Sequence, residues 1–198
     1  MAVTIEEIKR LRELTGVGMT DAKKALVEAE GDFDKALEAM RKKGLTKAEK
    51  KGEREAREGI VEAYVHSGRI GVIVEVNCET DFVVRTDGFK EFAHEVALHI
   101  AAAAPEYVNL DDVPADVREA KKQELLASDA LASKPAEMAD KIVEGQLKKY
   151  FAEKVLLEQP FIKNPDVTVG EFLKENVAKI GENLIIRRFS RIALGEAA

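Results

Sequence analysis

The first 44 residues carry apolar positions at helical spacing, interrupted by glycines. Thr4 and Glu7 form a capping-box pattern in front of the first apolar stripe. Thr20 and Asp32 can cap a second and a third helix, and Gly44 is expected to end the third. The pattern therefore predicts a head of three short helices over residues 1–44. The apolar stripes are Ile5, Ile8, Leu11 and Leu14; Ala22, Ala25, Leu26 and Ala29; and Phe33, Ala36, Leu37 and Met40.

From Gly59 onward the apolar period changes from helical spacing to two, which is typical of β-strands. The stretch 67–69 reads as a turn between two such strands, so we expect a hairpin with one apolar side. Cys78 falls on the apolar side of the second strand, and we expect it to be a packed core thiol rather than a nucleophile. The two stripes are Val61, Ala63 and Val65, then Ile70, Val72, Val74, Val76 and Cys78.

Helical spacing returns after Thr86-Asp87-Gly88, which supplies a helix cap, and Thr168 caps a later helix. The segment from Asn183 to Leu194 is rich in β-branched residues and is expected to join the hairpin. The predicted fold is therefore α+β: a three-helix head over 1–44, a charged helical linker over 45–58, and a core over 59–198. In the core we expect a three-stranded antiparallel sheet with helices packed on one face.

The segment Thr80-Asp81-Phe82-Val83 lies at the predicted end of the second strand of the hairpin. An Asp is out of place in a buried strand, and a Phe is out of place in a solvent-exposed loop. Two interpretations stay open. Phe82 is either an exposed anchor for a partner's pocket, since buried aromatic residues dominate many protein interfaces, or a core residue that folds back onto its own chain.

Composition narrows the class of protein. The chain has 198 residues, of which 45% are hydrophobic and 34% charged, which is ordinary for a globular protein. A net charge of −6 argues against nucleic acid as a target for the protein as a whole. One cysteine excludes an internal disulfide. We find no signal peptide and no run long enough to span a membrane. A cytoplasmic protein with no membrane contact is expected.

No arrangement of residues typical of an enzyme stands out. The only histidines are His66, His94 and His99, and none has a nearby cysteine to complete a metal site. We expect all three to be partly exposed. Phosphate-binding loops and nucleophile elbows are also missing. The sequence therefore predicts a binding protein without a catalytic site, a metal or a cofactor.

Four stretches of the chain are distinctive: LRELTGVGMTDAKKALVEAEGDFDKALEAMRKKG from residue 11, GRIGVIVEVNCETDFV from residue 68, EGQLKKYFAEKVLLEQPFIKNPDVTVGEFL from residue 144, and KIGENLIIRRFSR from residue 179. Together, and in this order, they resemble one family, elongation factor Ts. The first resembles the ubiquitin-associated-like (UBA-like) head of the family. The likeness covers nearly the whole chain.

The resemblance implies a guanine-nucleotide exchange factor for elongation factor Tu in translation elongation. In that family, the residues that match Asp81 and Phe82 enter a groove of the GTPase and dislodge its Mg²⁺, while those that match Thr80 and Val83 shape the turn. Met19 and Lys23 match the head pattern and carry a weaker implied contact. The short form is expected to be able to dimerise through its sheet, in a 2:2 complex with elongation factor Tu.

Two further interpretations of function stay open beside the exchange factor. The three-helix head alone could serve a non-catalytic adaptor that binds another protein. The basic stretch from Arg41 to Arg57, which has eight Lys and Arg residues against three Glu, could steer an acidic partner or bind RNA, or could be a solvated connector. RNA binding is disfavoured because no aromatic residue is interleaved with the basic ones.

Overall fold

The computed structural model describes residues 3–127 and 136–196. The described helices and strands, in chain order, are α1 (Ile5–Thr15), α2 (Met19–Glu28), α3 (Phe33–Lys51), β1 (Glu58–His66), β2 (Ile70–Cys78), α4 (Asp81–Val84), α5 (Asp87–Ala103), α6 (Ala115–Leu126), α7 (Ala136–Ala152), β3 (Pro160–Phe161), β4 (Asn164–Thr168), α8 (Val169–Ile180) and β5 (Leu184–Ala193). The α+β class and the three-helix segment at the N-terminus are confirmed.

The head is built as the caps and stripes predict, with local differences. Thr4 Oγ1 accepts the Glu7 amide at 3.2 Å, and the Glu7 carboxylate accepts the Thr4 amide at 2.9 Å. The second helix begins at Met19 with Gly18 as its N-cap, so the predicted cap at Thr20 is wrong. Only the middle of the first stripe is covered, because its end residues Ile5 and Leu14 are exposed. The buried set is Ile8, Leu11, Ala22, Ala25, Leu26, Ala36 and Met40.

The third helix does not end at Gly44 but continues to Lys51, so the predicted helix end is wrong. Gly44 lacks the left-handed φ that would end a helix. A Cβ placed there would lie 3.4 Å from the Cβ of Ala178, which shows that the glycine sits where α3 passes α8. The boundary between the head and the linker therefore falls inside a helix, and the division at residues 44, 58 and 59 stays a prediction.

Side chains and backbone from the head and from α3 contact the end of the core that carries α8. The Arg41 guanidinium lies 3.6 Å from the Glu175 carboxylate, and Lys51 Nζ donates to the Gly181 carbonyl at 2.5 Å. Gly16, which caps α1 with a φ of 65°, approaches α8 so closely that a Cβ would lie 2.4 Å from Lys179 Cα. The head is thus packed against α8 rather than only tethered to it.

The main sheet has the order β1-β2-β5, and both pairs are antiparallel, as predicted. The inner face of β2 carries Val72, Val74, Val76 and Cys78, all buried, and these pack with Phe89 and other apolar residues of α5. Beyond the predicted elements, β3 and β4 form a second, two-stranded sheet in front of α8.

The apolar stripe of β1 faces the opposite way from that of β2. Val61 pairs with Glu75 and Val65 pairs with Gly71, residues of β2 that alternate with its buried valines. Val61 is 66% exposed and Val65 is 67% exposed. The prediction of a hairpin with one apolar side is therefore wrong, because the register places the β1 stripe on the outer face of the sheet.

One histidine is buried, against expectation. His99 of α5 accepts the Ile162 amide on Nδ1 at 3.2 Å, so its proton sits on Nε2, which lies 2.9 Å from Gln159 Oε1. Burial lowers the pKa of His99 below its usual 6.5, and the hydrogen bond to Gln159 offsets part of that effect. Protonating Nδ1 would break the contact with Ile162.

The two glycines at the junction of the head and the core should respond oppositely to alanine. Gly44→Ala should raise the free energy of unfolding by about 0.5–1 kcal/mol, because its φ is helical and the space admits a methyl group. Gly16→Ala should lower it by more than about 1 kcal/mol, because of the positive φ and the clash with Lys179. Urea unfolding of both variants measures the difference. An equal loss of stability in the two would contradict this account.

Stability should fall in acid because of His99. Since its pKa is lower in the folded chain than in the unfolded chain, its contribution is complete above about pH 6.5 and is lost as the pH falls through the folded pKa. The loss is at most about 1.4 kcal/mol per pH unit. Urea unfolding between pH 7.5 and 5.5 should show a shallower pH dependence for His99→Gln than for the wild type. An unchanged slope in His99→Gln would count against the assignment.

Candidate partner-binding site

The strand β2 ends at Cys78, and the chain then forms the four-residue helix α4 from Asp81 to Val84. Phe82 on this helix is 75% exposed, the largest exposed fraction of any large hydrophobic residue among the described ones. The structure therefore places the ring in solvent and not in the protein's own core. We call residues 79–84 the tip.

The two valines of the tip hold it to the core. Val83 and Val84 are partly buried and pack against the apolar cluster beneath the sheet, while Asp81 and Phe82 face outward. The exposed aromatic residue therefore lies on a helix whose other face is packed against the core. The family resemblance implied that Val83 shapes this segment, but no helix was predicted here.

Glu182, which follows α8, binds the start of the tip. Its Oε2 accepts the amides of Glu79 at 3.1 Å and Thr80 at 3.0 Å, and its Oε1 accepts the Thr80 hydroxyl at 2.6 Å. Thr80 is the N-cap of α4, yet its side chain makes no capping bond, because the hydroxyl is turned to Glu182. Sequence reasoning missed Glu182, and no local pattern pairs it with residues about a hundred positions earlier.

A reciprocal contact runs in the opposite direction across the same junction. Glu79 Oε1 accepts the Asn183 amide at 2.6 Å and lies 3.6 Å from Arg54 Nη1. The Asn183 side chain in turn donates to the Arg54 carbonyl at 2.7 Å. The tip, the turn after α8 and the segment after α3 therefore meet at one set of polar contacts, which we call the carboxylate junction.

Asp81 is engaged within the tip itself. Its carboxylate accepts from Arg85 Nη2 at 2.8 Å, a pair one helical turn apart with both side chains largely exposed. Exposed pairs of this kind stabilise a helix by only about 0.3–0.5 kcal/mol, so a partner's donor can replace Arg85 at low cost. Asp81 is thus available for a second hydrogen bond outside the chain.

The end of α4 is tied to the start of α5. Thr86 Oγ1 donates to the Val83 carbonyl at 2.7 Å and accepts the Phe89 amide, so one hydroxyl ends α4 and caps α5. The cap predicted within residues 86–88 is confirmed, and it is Thr86. The tip is therefore fixed by hydrogen bonds on the Thr80 side and on the Thr86 side.

Cys78 is a buried thiol beneath the tip, as predicted. Its Sγ lies 3.2 Å from the Thr80 carbonyl and donates to it. Burial, followed by the nearby Glu182 charge, raises the pKa of Cys78 to about 11. The thiol stays protonated at neutral pH, so it serves as packing and as a weak donor, not as a nucleophile.

The two head residues of the candidate site lie on α2, away from the tip in sequence. Met19 begins this helix with 41% of its surface exposed, and it is not part of the buried head cluster. Lys23 is exposed one turn later and lines a shallow groove with Val27. The alternative that Met19 closes the small bundle therefore finds no support in the packing.

Most described side chains of the basic stretch have partners within the chain. Arg41, Arg54 and Lys51 contact the core as given above. Lys42 pairs with Glu38 at 2.7 Å, and Arg57 pairs with Glu55 at 2.6 Å. These contacts favour a connector over a free cationic surface.

Within residues 3–127 and 136–196, no helix has the length and apolar character needed to cross a membrane. Over the same ranges, no group of three or more His, Cys, Asp and Glu residues is arranged to hold a metal ion.

The family model and three relatives that match this chain all belong to one family. The family model described as Elongation factor TS matches residues 7–196. The chain is 59% identical over 196 residues to the elongation factor Ts of Carboxydothermus hydrogenoformans, covering 98% of this chain and 90% of the relative. It is 54% identical over 190 residues to that of Desulfosudis oleivorans, covering 96% of each. It is 49% identical over 197 residues to that of Geobacter sulfurreducens, covering 99% of this chain and 91% of the relative.

Proposed function

Because the chain belongs to the elongation factor Ts family, we propose that it is a translation elongation factor that binds elongation factor Tu carrying GDP and promotes release of that GDP, so that GTP can bind. It does so as a binding protein and not as an enzyme, in the cytoplasm, where translation takes place. The observation that carries the proposal is the Phe82 side chain, held in solvent on an anchored helix.

The proposed contact works as a wedge. Phe82 enters an apolar groove of the GTPase, and burial of its ring supplies about 2–3 kcal/mol. Asp81 exchanges its weak pair with Arg85 for a hydrogen bond at the mouth of that groove and so sets the direction of the ring. Thr80 and Val83 hold the helix from below. Displacement of the groove wall dislodges the Mg²⁺ that offsets the charge of the bound phosphates. The GTPase then binds its nucleotide more weakly.

The exchange factor itself needs no nucleotide pocket. The factor and GDP each reduce the affinity of the GTPase for the other, and the coupling free energy is the same whichever of the two binds first. If the factor lowers the affinity of the GTPase for GDP by some ratio, a nucleotide that rebinds lowers the affinity for the factor by the same ratio. The rebinding nucleotide therefore expels the factor. An excess of GTP over GDP in the cell then gives the reaction its direction.

Met19 and Lys23 supply a second, weaker contact from the head to the same partner. Both are exposed and lie on the same face of α2, one turn apart. Met suits an adaptable apolar contact because its side chain is flexible. An adaptor that uses only the head would leave the exposed Phe82 of the core without a role, so the tip favours exchange over the adaptor hypothesis.

Phe82→Ala should cut the acceleration of GDP release by roughly 30- to 150-fold, the equivalent of the lost burial. The measurement is the release of a fluorescent GDP from elongation factor Tu after rapid mixing. The fold should be unaffected, because an exposed side chain contributes little to stability. Met138→Ala on α7, which also truncates an exposed apolar residue, is the matched control and should exchange at the wild-type rate. A folded Phe82→Ala protein with wild-type exchange would refute the wedge.

We also propose that two copies associate through the outer face of the main sheet, giving a 2:2 complex with the GTPase. The helix α5 packs on the inner face, while the outer face presents a band of exposed apolar side chains. A band of this kind on a sheet is typical of an interface between proteins. The band consists of Val61, Val65, Ile73 and Ile192.

Ile73→Lys should convert the proposed dimer to a monomer, because it places a charge in the middle of the apolar band. Light scattering at working concentration should give twice the chain mass for the wild type and a single chain mass for the variant. Val27→Lys, at a similarly exposed apolar residue of the head, should leave the mass doubled. A wild-type protein that scatters as a monomer would end the dimer proposal and leave the proposed exchange function intact.

A further inference from the structure

The tip has little structure of its own. Its helix has four residues, far fewer than a helix needs to be stable in isolation. Two of its side chains, Asp81 and Phe82, point away from the protein. An exposed aromatic ring on such a segment stays in place only if other parts of the chain fix the backbone that carries it.

Glu182 supplies that constraint at the start of the tip. One carboxylate accepts two consecutive backbone amides and a hydroxyl, at distances of 3.1, 3.0 and 2.6 Å. Hydrogen bonds to an ionised acceptor are about twice as strong as those between neutral groups. The residues that receive this support, Glu79 and Thr80, directly precede the helix that presents Phe82.

Glu182 is itself held in place. Gly181 before it takes a φ of 90°, ends α8 and donates its amide to the Val177 carbonyl. The Gly181 carbonyl accepts from Lys51 Nζ at the end of α3. On the other side, the Asn183 amide donates to Glu79. The backbone on both sides of Glu182 is therefore fixed before any partner arrives.

We propose that Glu182 is a positioning residue for nucleotide exchange: its carboxylate holds residues 79 and 80 so that Phe82 is presented in the geometry in which it docks. This inference rests on the function proposed above. Glu182 touches neither partner nor nucleotide and acts through the tip.

The expected effect follows from the population of the docking geometry. When only a fraction of molecules has the competent conformation, the apparent dissociation constant rises by the inverse of that fraction. Removal of Glu182 should therefore raise the concentration of exchange factor that gives half-maximal GDP release. The limiting rate at saturation should stay near the wild-type value, since a tip that has docked carries the same Phe82.

The experiment compares Glu182→Ala, Glu182→Gln and Phe82→Ala with the wild type, in fluorescent GDP release from elongation factor Tu over a range of factor concentrations. Glu182→Ala should raise the half-maximal concentration about tenfold and change the limiting rate less than about twofold. Glu182→Gln should restore most of the loss, because an amide oxygen can accept both backbone amides and its NH₂ can donate to Thr80 Oγ1. Phe82→Ala should lower the limiting rate, which neither Glu182 variant is expected to do.

Amide hydrogen exchange on the free proteins supplies a second readout. The amides of Glu79 and Thr80 should be protected in the wild type and in Glu182→Gln, and should lose protection in Glu182→Ala. Glu95→Ala is the matched control. Glu95 lies on α5, and its partly buried carboxylate is 2.7 Å from Lys163 Nζ. Its removal should leave both readouts unchanged. If Glu182→Ala does not fold, Thr80→Val removes one of the three contacts, and a rise of about threefold is expected.

Each contrary result has one meaning. If the amides lose protection in Glu182→Ala while the half-maximal concentration stays at the wild-type value, positioning by Glu182 is overturned and the wedge survives. An unchanged half-maximal concentration in Thr80→Val, where that variant is needed, overturns it equally. If Phe82→Ala exchanges normally, the proposed function of the tip fails, and the role of Glu182 falls with it.

Discussion

The exchange of hydrogen bonds between two carboxylates and the backbone of each other's loops is the constraint on which the candidate site depends. Glu182 binds the amides at the start of the tip, and Glu79 binds the amide of Asn183, so the end of β2 and the start of β5 are linked. Each carboxylate accepts backbone amides, and Arg54 lies 3.6 Å from Glu79. The result is an exposed aromatic ring on a rigid base, which is the property a wedge requires.

The same junction connects the tip to the head. Lys51 at the end of α3 binds the carbonyl of Gly181, and the segment after α3 binds Asn183. Since α3 begins in the head and also packs on α8, the described contacts form a continuous path from the head to Phe82. Under the proposed function, two separate contacts on one GTPase are thereby held at a fixed spacing, which lowers the entropy lost on binding.

Local chemistry made much of the fold predictable. The caps at Thr4, Thr86 and Thr168 were found from sequence because a cap involves residues only three positions apart. The strand β5 was found from its β-branched residues. Gly44 was misread because a glycine that allows two helices to approach looks, in sequence, like one that ends a helix.

What could not be predicted depends on long-range pairing. The facing of the β1 stripe is set by its register with β2, and either face of a strand can carry valines. The burial of His99 depends on Ile162 and Gln159, about sixty residues away. At the candidate site, the sequence singled out Thr80 to Val83 as candidates but not Glu182, since nothing in the neighbourhood of a glutamate shows which backbone amides it will accept.

The central claim is that the Phe82 ring is exposed in the free protein and becomes buried in the GTPase. Its most direct test replaces Phe82 with 4-fluorophenylalanine and measures the change of its ¹⁹F chemical shift between H₂O and D₂O. The account predicts a solvent-dependent shift for the free protein that disappears when elongation factor Tu is added. A ring that remains solvent-dependent in a complex that exchanges nucleotide at the normal rate would contradict it.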